Sequence, residues 1–183
     1  IDELRNIEFE KIEENEFWNQ SEQKELSIHK VHVYPAKFPS LIAQKAIEYC
    51  KKNNQYLLFE TGQETPITLL RTITAVGTGN LGINLDPANL LLYGKANPCD
   101  AVDVFGKYVR GVHGKDGEYP TDPYCLGEEK RIGDGRVNFP LLIEKLKKCG
   151  YDGSITIERE ISGQKQIDDI IYAKKFLEDI ING

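Results

Sequence analysis

From Tyr56 onward the chain alternates short runs built on Leu, Ile, Val and Phe with longer stretches whose apolar residues recur every three or four positions. The short runs are 56–60, 82–86, 109–113 and 154–158, and each has the length and composition of a buried strand. The longer stretches read as helices. Thr65 is placed to cap one whose first helical position is Pro66; its apolar face is Leu69, Leu70, Ile73 and Val76, and Gly77 ends it. A short helix is predicted over 100–107. Asn138 starts another, with Leu142, Ile143, Leu146 and Cys149 inward and Gly150 at its end. A last helix over 164–181 places Ile167, Ile170, Ala173, Leu177 and Ile181 on one face. Residues 114–137 show neither period and are expected to form a long loop. Strand–helix alternation repeated four times implies a parallel sheet. Continuously apolar strands fit a sheet covered on both faces.

Before Tyr56 the pattern differs, and a division into an N-terminal arm (1–54) and an α/β unit (55–183) is expected. Residues 1–24 have sparse apolar positions (Leu4, Ile7, Ile12, Phe17, Trp18). Ile28 to Pro39 alternates apolar residues with two prolines and reads as extended. Ser40 can cap a helix whose apolar face is Ile42, Ala46, Tyr49 and Cys50, ending at Lys51-Lys52-Asn53-Asn54.

Composition narrows the class. The 183 residues are 40% hydrophobic and 28% charged, enough for one ordinary domain with a sizeable core. No apolar run approaches the roughly 18 residues of a membrane span. The opening residues lack a secretory leader pattern, so the cytoplasm is the expected location and no membrane partner is expected. A net charge of -6 argues against a general nucleic-acid binder. The charge is uneven: residues 1–25 hold nine acids and three bases, residues 28–54 five bases and one acid. Cys50, Cys99, Cys125 and Cys149 are widely spaced, which disfavours a zinc or redox motif. The chain has no Met and begins at Ile1, as a piece of a longer or processed chain would.

The candidate chemistry is positional. Each of the four predicted strands ends in a residue able to bind a metal: Glu60, Asp86, His113 and Glu158. One charged residue at a strand end commonly marks only the chain emerging into solvent. In a parallel α/β fold, however, all strand C-termini lie at one face, and four such residues would converge there. Three carboxylates and an imidazole suit a divalent ion such as Mn²⁺, Co²⁺, Mg²⁺ or Zn²⁺. Without a cation, the carboxylates would raise one another's pKa.

The motifs around these residues resemble the C-terminal half of sugar phosphate isomerase/epimerase proteins of the xylose isomerase-like barrel family. Phe59-Glu60-Thr61-Gly62-Gln63-Glu64-Thr65-Pro66 and Gly82-Ile83-Asn84-Leu85-Asp86-Pro87-Ala88-Asn89-Leu90 look like its fifth and sixth strand ends. Val112-His113-Gly114-Lys115-Asp116 looks like the seventh, and Ile132 to Phe139 like the glycine-rich loop that follows. Gly150-Tyr151-Asp152-Gly153 and Ile155-Thr156-Ile157-Glu158 resemble the eighth. The resemblance implies half of a (β/α)8 TIM barrel, four strand–helix units, with an N-terminal extended or helical arm. It implies metal ligation by Glu60, Asp86, His113 and Glu158, and proton exchange by Glu60 and Glu158 on an open-chain sugar or sugar phosphate. Asn89, Lys115, Asp116, Arg136 and Arg159 are the candidate substrate contacts; Asn89 stands where many members carry a substrate-touching His. Gln63 and Glu64 either reach the site or simply start the next helix. An eight-stranded barrel needs roughly 250 residues, and the first four units have no counterpart here. A second copy closing the barrel is the implied protein partner, and a non-catalytic half barrel is the rival expectation.

Residues 28–53, through His29-Lys30-Val31-His32-Val33-Tyr34-Pro35-Ala36-Lys37-Phe38-Pro39, resemble the N-terminal segment of amino-group DNA methyltransferases. That family's cofactor loop and catalytic Asn/Asp-Pro-Pro-Tyr motif are absent from this sequence, so the resemblance implies no methyl transfer; the segment reads as a joined piece of an unrelated gene or as an ordinary extended arm, with a nucleic-acid contact as the third reading.

Overall fold

The structure is a computed structural model that describes residues 41–183; the expectations for residues 1–40, including the methyltransferase-like segment, lie outside the described residues. Four strands form a parallel sheet in the order β1 (Leu57–Glu60), β2 (Leu81–Leu85), β3 (Val109–Gly114), β6 (Ile155–Ile157). Helices connect them: α2 (Pro66–Val76) after β1, α3 (Pro87–Leu92) and α4 (Pro98–Phe105) after β2, α5 (Phe139–Lys148) after β3 and α6 (Gln164–Asn182) after β6. α1 (Leu41–Lys52) precedes β1. Neighbouring strands in the sheet are also neighbours in sequence, as in one arc of a (β/α) barrel, and this α/β architecture agrees with the sequence.

Local chemistry starts and stops the helices where the sequence indicates. The Thr65 side chain accepts from the backbone N–H of Thr68, Pro66 takes the first helical position, and Gly77 ends the helix in a left-handed conformation at φ 62°. Asn138 caps α5 through the N–H of Leu141. The core lies between the sheet's outer face and the helices, with Ile83, Leu85, Val112, Phe105, Phe139 and Leu142 almost wholly enclosed. Ile47 of α1 is 1% exposed in that core, and Asn80 donates to its carbonyl at 2.9 Å. α1 therefore turns Ile47 inward and leaves Tyr49 half exposed, a face one step round from the one expected.

Three other elements differ from expectation. α3 follows Asp86 directly; its residues Pro87, Ala88, Leu90, Leu91 and Leu92 are all buried, so it has almost no polar face and no helical period to read. The Asp86-Pro87 pair is nevertheless an N-cap followed by Pro, the signature already read at Thr65-Pro66. The 114–137 segment is not structureless: β4 (Asp116–Gly117) pairs antiparallel with β5 (Glu129–Lys130). The inward face of α6 is Asp169, Ala173 and Leu177 with Phe176 and Ile180 beside them, while Ile167, Ile170 and Ile181 are exposed. A carboxylate occupies the inner stripe because Arg159 is buried against it.

β1 and β6 are the sheet's edges among the described residues. The face opposite the helices is open: Leu58 of β1 is 36% exposed, and Arg110 and Thr156 are exposed too.

Candidate metal centre

The C-terminal ends of the four parallel strands bring Glu60, Asp86, His113 and Glu158 together, with one ligating atom of each within 4.8 Å of all the others. Glu60 and Glu158 come from the outer strands, Asp86 and His113 from the central pair. His113 Nδ1 lies 3.7 Å from Glu60 Oε1, 3.6 Å from Asp86 Oδ2 and 2.6 Å from Glu158 Oε2. Asp86 is fully buried; its Oδ1 caps α3 through the Asn89 N–H, and its Oδ2 turns toward the cluster. Asp86 Oδ2 is buried without a hydrogen bond, and the close neighbours of the buried His113 Nδ1 are carboxylate oxygens of the same cluster. Buried polar atoms are rarely left so. A divalent cation among the three carboxylates and the imidazole would satisfy both atoms, and a three-oxygen, one-nitrogen set suits such an ion.

Thr61, 1% exposed, sets the height of Asp86. Its hydroxyl donates to the Asp86 carbonyl at 2.6 Å and accepts from the Asp86 N–H at 2.8 Å. Both main-chain groups just past β2 are thereby satisfied without a further strand residue.

Lys115 is the nearest cation. Its Nζ contacts Glu160 at 2.7 Å, Glu158 Oε1 at 3.2 Å and Asp86 Oδ2 at 3.6 Å, with a side chain 2% exposed. Burial alone would lower its pKa; the Glu160 bond and the neighbouring Asp86 and Glu158 outweigh that and raise it. Desolvation raises the Asp86 pKa, against the opposing pull of the Asn89 N–H and Lys115.

Asp116 is fully buried and accepts four backbone hydrogen bonds. Oδ1 takes those of Gly117 and Val137, and Oδ2 those of Gly133 and Gly135. It thus ties the return of the long loop to its start. Desolvation raises its pKa despite the four N–H donors, which act to lower it. Arg159 is paired on both sides, with Glu129 and Asp169 at 2.8 Å each. Glu129 also accepts the Glu160 N–H, at 3.1 Å. The loop strand β5, the end of β6 and α6 are braced at one point. Lys115, Asp116 and Arg159 thus each bond to other groups of the protein. Asn89 borders the cluster, donating to Glu60 Oε1 at 3.4 Å. Arg136 is exposed, its backbone N–H held by the Gly117 carbonyl. Gln63 and Glu64 are exposed at the start of α2.

Sequence reasoning passed over Thr61, Asn84, Glu129 and Glu160. Asn84 carried a usable signal, a lone amide inside an apolar strand, and it meets His113 Nε2 at 3.0 Å. Glu129 and Glu160 carried none, since a two-residue strand and the few residues past β6 are too short to show a periodicity.

A model of the xylose isomerase-like TIM barrel family matches residues 43–180. Among curated relatives, an uncharacterized protein of Methanocaldococcus jannaschii is 33% identical over 120 residues, covering 64% of this chain and 37% of its own. An inosose dehydratase of Lacticaseibacillus casei is 26% identical over 139 residues, covering 67% and 45%. Among solved structures, a xylose isomerase domain protein from Planctomyces limnophilus superposes with a TM-score of 0.73 at 35% identity, over 78% of this chain and 54% of that one. A xylose isomerase-like TIM barrel protein from Mycobacterium smegmatis in complex with magnesium gives 0.60 at 19%, over 76% and 49%. A D-psicose 3-epimerase from Clostridium cellulolyticum with D-tagatose gives 0.58 at 16%, over 76% and 54%. The chain spans about half or less of the length of these relatives.

Proposed function

The chain belongs to the xylose isomerase-like TIM barrel family, and from that premise we propose that it is a metal-dependent isomerase or epimerase of open-chain sugars or sugar phosphates. The observation that carries this reading is the cluster of Glu60, Asp86, His113 and Glu158, with the buried Asp86 Oδ2 left without a hydrogen bond. These four residues would hold the ion, Mn²⁺, Co²⁺, Mg²⁺ or Zn²⁺. When bound, the ion supplies a Lewis acid that polarises the substrate carbonyl and acidifies the neighbouring C–H.

The residues divide the remaining work. Asp86 and His113, from the central strands, are the most enclosed, with side chains 0% and 18% exposed, and act as anchors. Glu60 and Glu158 stand on opposite flanks and are more open, at 48% and 29%. One removes the proton α to the carbonyl to give an enediolate, and the other returns a proton at the same or the neighbouring carbon. Asn89 and Arg136 are the proposed contacts for substrate oxygen or phosphate; Lys115 reaches substrate only by exchanging a carboxylate partner.

A second reading has a specific observation behind it. The open inner face at Leu58, Arg110 and Thr156 favours a half barrel that is incomplete alone. A second copy, setting its β1 edge against β6, is the proposed partner that would close the ring; sedimentation would show a dimer. The test of function is incubation of the purified chain in ²H₂O with Mn²⁺ and a panel of ketoses, ketose phosphates, aldoses and inososes, followed by NMR. Metal-dependent product with solvent deuterium at the α-carbon, lost in Glu60→Gln and Glu158→Gln, is expected. Metal binding without exchange at any substrate would leave the non-catalytic half barrel.

A further inference from the structure

Asn84 lies in β2, in a run otherwise made of Leu, Gly and Ile. Its amide reaches sideways to β3, where Nδ2 lies 3.0 Å from His113 Nε2. β3 makes room for it. Gly111 is the register partner of Asn84, and a Cβ at Gly111 would sit 2.5 Å from Asn84 Oδ1. Glycine inside a strand weakens it and marks a close approach, and here what approaches is the Asn84 amide. The two nitrogens of one imidazole therefore have separate neighbours: Nδ1 faces Glu60, Asp86 and Glu158, and Nε2 faces Asn84.

A neutral imidazole carries one proton. If Nδ1 gives its lone pair to a cation, the proton sits on Nε2 and needs an acceptor there. A half-turn of the Asn84 amide places Oδ1 where Nδ2 stands, with the same reach. An amide can therefore serve either tautomer, whereas a carboxylate serves only the one with Nε2–H. We propose that Asn84 is the positioning residue of this centre: it fixes the His113 ring so that Nδ1 faces the three carboxylates, and it accepts the Nε2 proton when Nδ1 ligates. Gly111 keeps the space in which the amide turns. This rests on the metal reading above and names the residue on which its imidazole ligand depends.

The test is Mn²⁺ titration by calorimetry of the purified chain and of Asn84→Leu, Asn84→Ser and Asn84→Asp, with a melt of each metal-free protein and the ¹⁵N shifts of the His113 ring. Asn84→Leu is expected to bind Mn²⁺ about 10–100-fold more weakly, the usual loss for an outer partner of a ligating His. Asn84→Asp should stay within about threefold of the parent, since it still accepts Nε2–H. Asn84→Ser, too short to reach the ring, should lose affinity like Leu and covers the case in which Leu does not fold. In the metal-free proteins Glu158 holds Nδ1–H throughout, and the Nε2 shift should report a hydrogen bond from Asn84 in the parent that is lost in Leu and Ser. Parent-like affinity in Leu or Ser overturns the proposal. If the parent binds no ion, the metal reading fails by itself, and the ring shifts still decide the role of Asn84: an unchanged Nε2 shift in Leu and Ser would end it.

Discussion

Replacing Arg159 by Met removes one buried cation and leaves its volume nearly filled. The Arg159 side chain is 9% exposed and makes two charge-assisted bonds of 2.8 Å, to Glu129 and Asp169, whose side chains are 13% and 10% exposed. Each such bond contributes about 1.5–3 kcal/mol, and stripping one partner from a buried pair costs about 3–5 kcal/mol. A loss of about 4 kcal/mol is therefore expected, since two carboxylates lose their cation together. With a urea m-value of about 2 kcal/mol per molar, the midpoint should fall by about 2 M. At roughly 2–4 °C per kcal/mol, the melt should fall by about 8–16 °C. Equilibrium urea unfolding followed by circular dichroism measures this. Glu129→Gln alone and combined with Arg159→Met closes a double-mutant cycle, in which the second change should cost much less once the first is made. An Arg159→Met midpoint within about 0.5 M of the parent, the value for an exposed charge, would refute the brace.

Three further outcomes follow from the same geometry. Thr61→Val should cost about 1–3 kcal/mol in urea unfolding, because the Asp86 N–H and carbonyl both lose their partner. Gly135→Ala should cost about 2–3 kcal/mol, since its Cβ would lie 2.2 Å from Asp116 Oδ1 and 2.6 Å from the Gly117 nitrogen; unchanged stability would mean the loop does not pack on Asp116. Asp116 has a raised pKa, so the folded chain holds that proton more tightly than the unfolded one. Its contribution is complete below the ordinary Asp range and is lost as pH rises through the raised value. Asp116→Asn, which cannot ionise, should therefore improve relative to the parent between acid and neutral pH, on top of a constant loss from its broken loop bonds; parallel urea midpoints across that range would contradict the burial argument.

Much of the fold was legible because strand and helix differ in period and because caps are local. Thr65-Pro66 and Asn138 needed only their own neighbours, and the four strands stood out as short runs built on Leu, Ile, Val and Phe. The four-residue cluster was legible for a topological reason: parallel strands align their C-termini, so a ligand at each end must converge. What failed required tertiary knowledge. Asp169 sits on the inner stripe of α6 only because Arg159, ten residues earlier, is folded against it. The small antiparallel ladder in the 114–137 segment depends on Asp116 collecting N–H groups from 17 to 21 residues away. Lys115 reads from sequence as a surface or substrate cation, and only its contacts with Asp86, Glu158 and Glu160 show why it is buried.

The most direct test of the metal centre is the thermal melt of the purified chain with and without Mn²⁺, beside the double variant His113→Ala, Glu158→Ala. With free Mn²⁺ near one hundred times its dissociation constant, binding stabilises by about 2.7 kcal/mol, which raises the melt by about 5–10 °C. The account predicts that rise in the parent and none in the double variant. A cooperative parent melt that Mn²⁺ leaves unmoved would contradict it.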